Sequence, residues 1–306
     1  MGGIISGGTY RQATAHETEL YERMRQQQAQ QSVPLLHRRD HSHEYLFVAL
    51  FDGTGQDVND PKQLPTNIGV LKVQLDDLEN EPGLRVGGHY VPGIGTQKNP
   101  ITRLIDGVVP YTWDDRIMAM YKELGTQVSK WRDQDPQAQV RLVEIGYSRG
   151  AVLVPGLARL VDQYGIIDPD SLKVGRDAHG NLALESPRTL IPPGQIAQAV
   201  GLFDPVATNM PDNYDARLPP SVLSGFSLMA RDEQREWFPH QTIIAPQVSH
   251  DRRFVSVPVP GGHSNVGGGN REAGLESLAF NGMATSGAHA SPGAARSTLD
   301  GRPERK

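Results

Sequence analysis

Three side chains far apart in the sequence are of the types that acyl transfer needs. Ser148 stands in Gly146-Tyr147-Ser148-Arg149-Gly150, Asp204 in Leu202-Phe203-Asp204-Pro205-Val206, and His263 in a glycine-rich stretch, Pro260-Gly261-Gly262-His263-Ser264-Asn265-Val266-Gly267-Gly268-Gly269. A serine hydroxyl is a weak nucleophile until an imidazole takes its proton. The imidazole in turn needs a carboxylate that fixes its tautomer and stabilises its cation. On a parallel sheet these groups come in the chain order serine, acid, histidine, with the serine in a G-x-S-x-G turn between a strand and a helix. Ser148, Asp204 and His263 follow that order. Asp232, in Ala230-Arg231-Asp232-Glu233, is a rival acid, and His240 and His250 are rival bases without the glycine framing of His263. A developing oxyanion needs preorganised donors: the backbone N–H of Arg149, and a second from Gly53 or Thr54 in Asp52-Gly53-Thr54-Gly55. Asp52 is either the residue that ties this loop down or an ordinary turn aspartate.

In a chain with 33 glycines a lone G-x-S-x-G carries little weight, so the flanking elements must decide. Residues 139–145 alternate as a strand, and after the serine Val154, Leu157, Ala158 and Val161 recur on a helical stripe. Pro155 inside that helix predicts a kink or a late start. Residues 45–51 are continuously apolar, as in a strand buried on both faces. Asn67 is placed to cap a helix with Leu71, Leu75 and Leu78 on one face; 84–90 reads as a strand and 114–132 as a helix. Residues 168–195 read as loop, 196–203 as a strand, 223–231 as helical or extended, 253–259 as a strand and 274–280 as a helix. Strands alternating with helices predict an α/β fold, a mostly parallel sheet with helices on both faces. Ligands of such sheets bind outside the carboxyl ends of the strands, where the Ser148, Asp204, His263 and Asp52–Gly55 loops all fall.

The 306 residues divide into a polar arm over 1–43, a folded domain over 44–281 and a Gly/Ala/Ser-rich tail over 282–306 expected to be disordered. The arm reads as mobile or docked on a partner. A net charge of −5 gives no electrostatic case for nucleic acid. The absence of cysteine excludes a thiol nucleophile, disulfides and Cys-ligated zinc. No apolar run approaches a membrane span, and the first residues lack a signal-peptide pattern. Asp52-Gly53-Thr54 invites comparison with the D-x-D-G-T of haloacid dehalogenase-like phosphatases, but Leu50 occupies the first aspartate position. No phosphate-loop or H-E-x-x-H motif is present, and scattered carboxylates such as Asp57, Asp60, Asp76 and Asp77 do not make a metal site.

Five blocks in order, Phe51–Gly55, Tyr90–Thr96, Gly146–Ala151, Leu202–Val206 and Pro260–Gly269, resemble the α/β-hydrolase domain family that includes the lipase effectors of the bacterial type VI secretion system. The likeness covers residues 44–280. It implies an α/β-hydrolase fold and a carboxylic-ester hydrolase without a cofactor, with phospholipid or another acyl ester as substrate. The family's serine falls on Ser148, its aspartate on Asp204 and its histidine on His263. The likeness also implies an immunity protein, a secretion spike or adaptor partner, and transient contact with a membrane surface. Synthesis in the producer's cytoplasm and delivery to the target-cell envelope or periplasm follow from the same likeness. Tyr147 where the family more often has Phe, Asn265 where many have Asp, and Pro155 are departures. An esterase for a soluble or cell-wall ester and a non-catalytic binding module of a secretion particle are the alternatives. An interfacial lipase needs an apolar rim, for which 105–113 is the candidate, with a buried strand-to-helix connection as the plainer reading.

Overall fold

The computed structural model describes residues 14–93, 111–211, 214–233, 235, 240–270 and 274–288. In chain order the elements are α1 (Ala15–Gln28), β1 (Glu44–Phe51), α2 (Asn67–Glu79), β2 (Val86–Val91), α3 (Tyr111–Gln134), β3 (Gln139–Tyr147), α4 (Arg149–Tyr164), β4 (Ile166–Ile167), β5 (Lys173–Arg176), β6 (Leu182–Glu185), β7 (Thr189–Ile191), β8 (Gln198–Phe203), β9 (Val222–Ala230), β10 (Gln247–Val248), β11 (Phe254–Val259), α5 (His263–Gly267) and α6 (Gly274–Ala288). Seven strands form the main sheet in the order β10-β11-β9-β8-β3-β1-β2, parallel throughout except at the β10–β11 edge. This is an α/β fold, with helices on both faces of a mostly parallel sheet.

β1 is apolar at nearly every position because it has no solvent face. Phe47, Ala49 and Phe51 enter the layer formed with Ile117, Tyr121 and Leu124 of α3 and Val154, Leu157 and Val161 of α4. Leu50 enters the opposite layer with Ile68 and Leu75 of α2, Tyr21 and Met24 of α1, and Ala279 and Met283 of α6. The register aligns the strand ends. Phe51 lies opposite Val91 and Gly146, Tyr147 opposite Phe203, and Ala230 opposite Val259. Asp52, Ser148, Asp204, the 231–233 stretch and the 260–263 turn therefore leave the sheet along one rim.

Several elements differ from the sequence reading. Of the stretch expected to be mobile or held by a partner, the described part from Thr14 on is docked on the chain itself. A Thr14–Glu17 capping box starts α1, and Tyr21 and Met24 are buried. Gln28 Nε2 donates to Gly282 O at 2.5 Å, and Gln31 Nε2 to Gly225 O at 2.9 Å and Arg253 O at 3.0 Å. The apolar stripe is thin because glutamines supply part of the docking. Residues 168–195 contain two antiparallel pairs, β5–β6 and β4–β7, rather than loop alone. All four residues of β5 are exposed, so no alternation marked it. Thr66, not Asn67, caps α2: its Oγ1 accepts from Gly69 N at 3.0 Å, while Asn67 is buried and donates to Val266 O and Glu276 O. α4 starts directly after the serine and runs through Pro155, which has no N–H to give the carbonyl of Ala151. α6 continues to Ala288, past the boundary expected at 281. The candidate rim over 105–110, the block after Gly93 and the tail beyond 288 lie outside the described residues. Among the described residues no helix is long and apolar enough to cross a membrane.

Candidate active site

Ser148 occupies the single residue between β3 and α4, with φ 58° and ψ −128°. A non-glycine residue held there is strained by about 1–3 kcal/mol and persists only where its surroundings fix it. The flanking glycines show what fixes it. A Cβ on Gly150 would sit 2.5 Å from the carbonyl oxygens of Phe51 and Asp52, and one on Gly146 would sit 2.6 Å from the backbone of Ala151. Strand, turn and helix close on each other only if both positions lack a side chain.

Above the turn runs an unbroken row of hydrogen bonds. His263 Nε2 lies 2.8 Å from Ser148 Oγ, and His263 Nδ1 lies 2.6 Å from Asp204 Oδ2. Ser148 and His263 are 4% and 5% exposed, and Asp204 is fully buried. The other oxygen of Asp204 accepts from Ala230 N at 2.8 Å. Burial alone would raise the Asp204 carboxyl. Hydrogen bonds from His240, His263 and the Ala230 N–H outweigh it and hold the group below the usual aspartate range. With an ionised carboxylate on Nδ1, the imidazole presents Nε2 to the serine hydroxyl in the geometry a general base requires.

The rival residues of the sequence reading fall around this row. Asp232 does not reach the imidazole: its Oδ2 accepts from Gly261 N at 2.8 Å, and it pairs with Arg231. The neighbouring Glu233 accepts from His263 N at 3.0 Å and pairs with Arg235. Two adjacent carboxylates thus hold the backbone of the histidine turn. His240 faces the acid rather than the serine, with Nδ1 3.1 Å from Asp204 Oδ1. His250 is exposed in the turn that leads into the amino end of β11, at the far rim. Tyr147 lies under the imidazole, ring centroids 4.7 Å apart at 31°, and its hydroxyl donates to His263 O at 3.4 Å.

The loop after β1 approaches from the other side. A Cβ on Gly53 would come within 2.6 Å of the Tyr147 ring and 3.4 Å of Ser148 Cβ, which explains glycine there. The Gly53 N–H, however, is turned to Asp52 Oδ1 at 2.7 Å, so Gly53 shapes the loop and is not a free oxyanion donor. The N–H groups of Thr54 and Arg149 remain the candidates. The Arg149 side chain closes on this loop, its Nε donating to Thr54 Oγ1.

Asp52 is buried and tied to three donors: Gly53 N, Thr66 Oγ1 at 2.8 Å and Tyr90 Oη at 2.7 Å. Thr66 and Tyr90 were not legible as site residues, since one is a helix cap and the other a strand end. Burial pushes the Asp52 carboxyl up to about 6, against the pull of those hydrogen bonds. An amide cannot accept at both ends. Asp52→Asn is therefore expected to loosen the loop and lower kcat on a short nitrophenyl ester about tenfold, the equivalent of one charged hydrogen bond. A kcat equal to wild type would show that the loop holds without it.

Residues 46–183 match the sequence family described as T6SS, phospholipase effector Tle1-like, catalytic domain. Ser148 falls within that stretch, and Asp204 and His263 beyond it. No curated protein matches the chain. Among solved structures, an uncharacterized protein from Pseudomonas aeruginosa aligns at a TM-score of 0.49 and 16% identity, over 95% of this chain and 52% of its own. The Tle1 effector solved bound to the VgrG spike from the Type 6 secretion system aligns at 0.48 and 18% identity, over 75% of this chain and 52% of its own. The chain spans about half the length of each. Over residues 46–183, the chain is similar to the catalytic domain of the Tle1-like phospholipase effectors of the type VI secretion system.

Proposed function

We propose that the chain hydrolyses carboxylic esters, phospholipid acyl esters foremost, through an acyl-Ser148 intermediate, and that it does so as an antibacterial effector. The observation that carries this reading is the row Asp204–His263–Ser148, joined at 2.6 and 2.8 Å at the carboxyl rim of the sheet. The family match over 46–183 supports the ester and secretion context.

In this reading Ser148 Oγ attacks the ester carbonyl carbon while its proton passes to His263 Nε2. The carbonyl π pair moves onto oxygen, where the N–H groups of Arg149 and Thr54 receive it. Asp204 stays ionised and stabilises the imidazolium. The tetrahedral species collapses, the C–O bond to the alcohol breaks, and the alcohol leaves with the proton from Nε2. Water then repeats the sequence and releases the acid. The same proposal includes a spike or adaptor that carries the chain, an immunity protein that protects the producer, and delivery to the target-cell envelope.

The test incubates the purified chain with phosphatidylethanolamine–phosphatidylglycerol vesicles, identifies products by mass spectrometry, and maps fluorophosphonate labelling. Fatty acid with lysophospholipid, and a phosphonyl group on Ser148, are expected. No product and no label would overturn the reading and leave a non-catalytic binding module. Turnover of dispersed short esters without release from vesicles would move the substrate to a soluble or cell-wall ester.

A further inference from the structure

Asp204 serves two imidazoles. Its Oδ2 accepts from His263 Nδ1 at 2.6 Å and its Oδ1 faces His240 Nδ1 at 3.1 Å, while the carboxylate itself is fully buried. The two histidines differ in their access to water: the side chain of His263 is 6% exposed and that of His240 is 36% exposed. The position of His240 is built into the fold. His240 forms an antiparallel bridge with Val206, and Gln241 N donates to Pro205 O at 3.0 Å, so this segment is fastened to the two residues that follow the acid. A solvent-facing imidazole is thus held against the one carboxylate that supports the buried imidazole.

We propose that His240 is a positioning residue for the Ser148–His263 reaction: it orients Asp204 from the side away from His263 and, by gaining or losing a proton, sets how much of the carboxylate's charge is left for His263. The proposal rests on the ester-hydrolase reading above.

The charges that face His240 among the described residues favour its cation. Asp204 bonds it directly and Glu233 lies near, while Arg235, paired with Glu233, is the opposing cation near Asp204. The Asp204 hydrogen bond raises His240 above the ordinary imidazole range despite partial burial. A neutral His240 still donates from Nδ1, so the acid stays oriented at every pH. A protonated His240 adds a full charge beside Asp204 and weakens the support for the imidazolium that forms on His263 during reaction. Turnover therefore gains as pH rises and His240 loses its proton. His240→Asn keeps a donor near the Nδ1 position and abolishes the ionisation of this side chain.

Two measurements test this on the full chain. The first follows the His240 Cε1–H resonance by NMR titration, with His240→Asn for assignment, and needs no substrate. The expected result is a midpoint above that of a free imidazole, near 6.5, which falls when Asp204 is replaced by Asn. A midpoint indifferent to Asp204→Asn would overturn the shared carboxylate. The second measures kcat/KM for a soluble ester against pH. A steeper acid limb in wild type than in His240→Asn is expected, and a limb of the same shape in both would overturn the control of His263. A purely structural role would lower the His240→Asn rate equally at all pH values, which also counts against it. If wild type turns over no ester while the NMR midpoint still depends on Asp204, the hydrolase reading has failed and the paired imidazoles have not.

Discussion

Ser148→Ala is expected to lower kcat/KM for any accepted ester by about 10⁴-fold or more while leaving the folded protein intact. The size follows from the roles in the proposed row. Without Oγ there is no acyl intermediate, and the imidazole and carboxylate have nothing to activate except water in the wrong place. What survives is the modest acceleration from bound substrate and oxyanion donors. The fold is expected to survive because alanine keeps the Cβ, and so inherits the strained φ of 58° without adding to it. Ser148→Gly is the informative companion: it is equally inactive but released from that strain, and should melt above both wild type and Ser148→Ala. Turnover by Ser148→Ala within tenfold of wild type, with a normal melting curve, would remove the serine from the mechanism. A glycine variant no more stable than the alanine one would show that the turn is not strained in the way its dihedrals indicate.

What could be read from the sequence was what the sheet dictates. β1 and β8 announce themselves by apolar runs and β3 by alternation, and the ends of these patterns mark where chemistry can be displayed. The loops of Ser148, Asp204 and His263 were legible for that reason, with glycines at the elbow and around the histidine as the second signal. The parts that were not legible obey other rules. β9 carries Ser224, Gly225 and Ser227 among its apolar residues, so its period is blurred, although it is buried at nearly every position. β5 pairs only with β6 at the surface and buries nothing. α1 and the turn after it dock through the amides of Gln28 and Gln31 as well as through Tyr21 and Met24.

At the site, the supporting roles escaped for a related reason, even where the residue itself was named as a rival acid or base. Glu233, Asp232, Thr66, Tyr90 and His240 act through partners 14 to 38 residues away, and no local pattern encodes such a meeting. Their common task is to hold backbone or carboxylate in place. Asp232 and Glu233 fix the turn that carries His263; Thr66 and Tyr90 fix Asp52, which fixes Gly53. The proposed reacting groups follow strand ends, and each is braced by a polar contact from a different segment. A sequence shows the first arrangement directly and the second only through the fold.

Glu144→Leu is expected to raise stability, by about 1–3 kcal/mol at neutral pH, the usual penalty of a buried polar group left unbonded. Glu144 is on β3, four residues before Ser148, on the same face as Val140 and Leu142, which belong to the layer under α3 and α4. Its neighbours in register are Ala49 of β1 and Val200 of β8. It is fully buried, and neither carboxyl oxygen has a hydrogen-bond partner among the described residues. Burial pushes this carboxyl well above its ordinary value of 4.5. The sign of the pH dependence follows. Below 4.5 both folded and unfolded chains hold the proton. Above it the unfolded chain sheds a proton that the folded chain keeps, so Glu144 lowers stability progressively as pH rises toward its folded pKa. Glu144→Gln removes that slope but still buries an unpaired amide; Glu144→Leu removes both. Urea denaturation of the three proteins at pH 5 and pH 8 therefore separates the two contributions. The wild-type loss between those pH values should shrink in both variants, and the leucine protein should be the most stable at either. A leucine variant less stable than wild type would mean that the acid is bonded within the folded protein. If instead Leu stabilises while ester turnover falls, the strand that delivers Ser148 is being held by its buried acid in a geometry that packing alone does not reproduce.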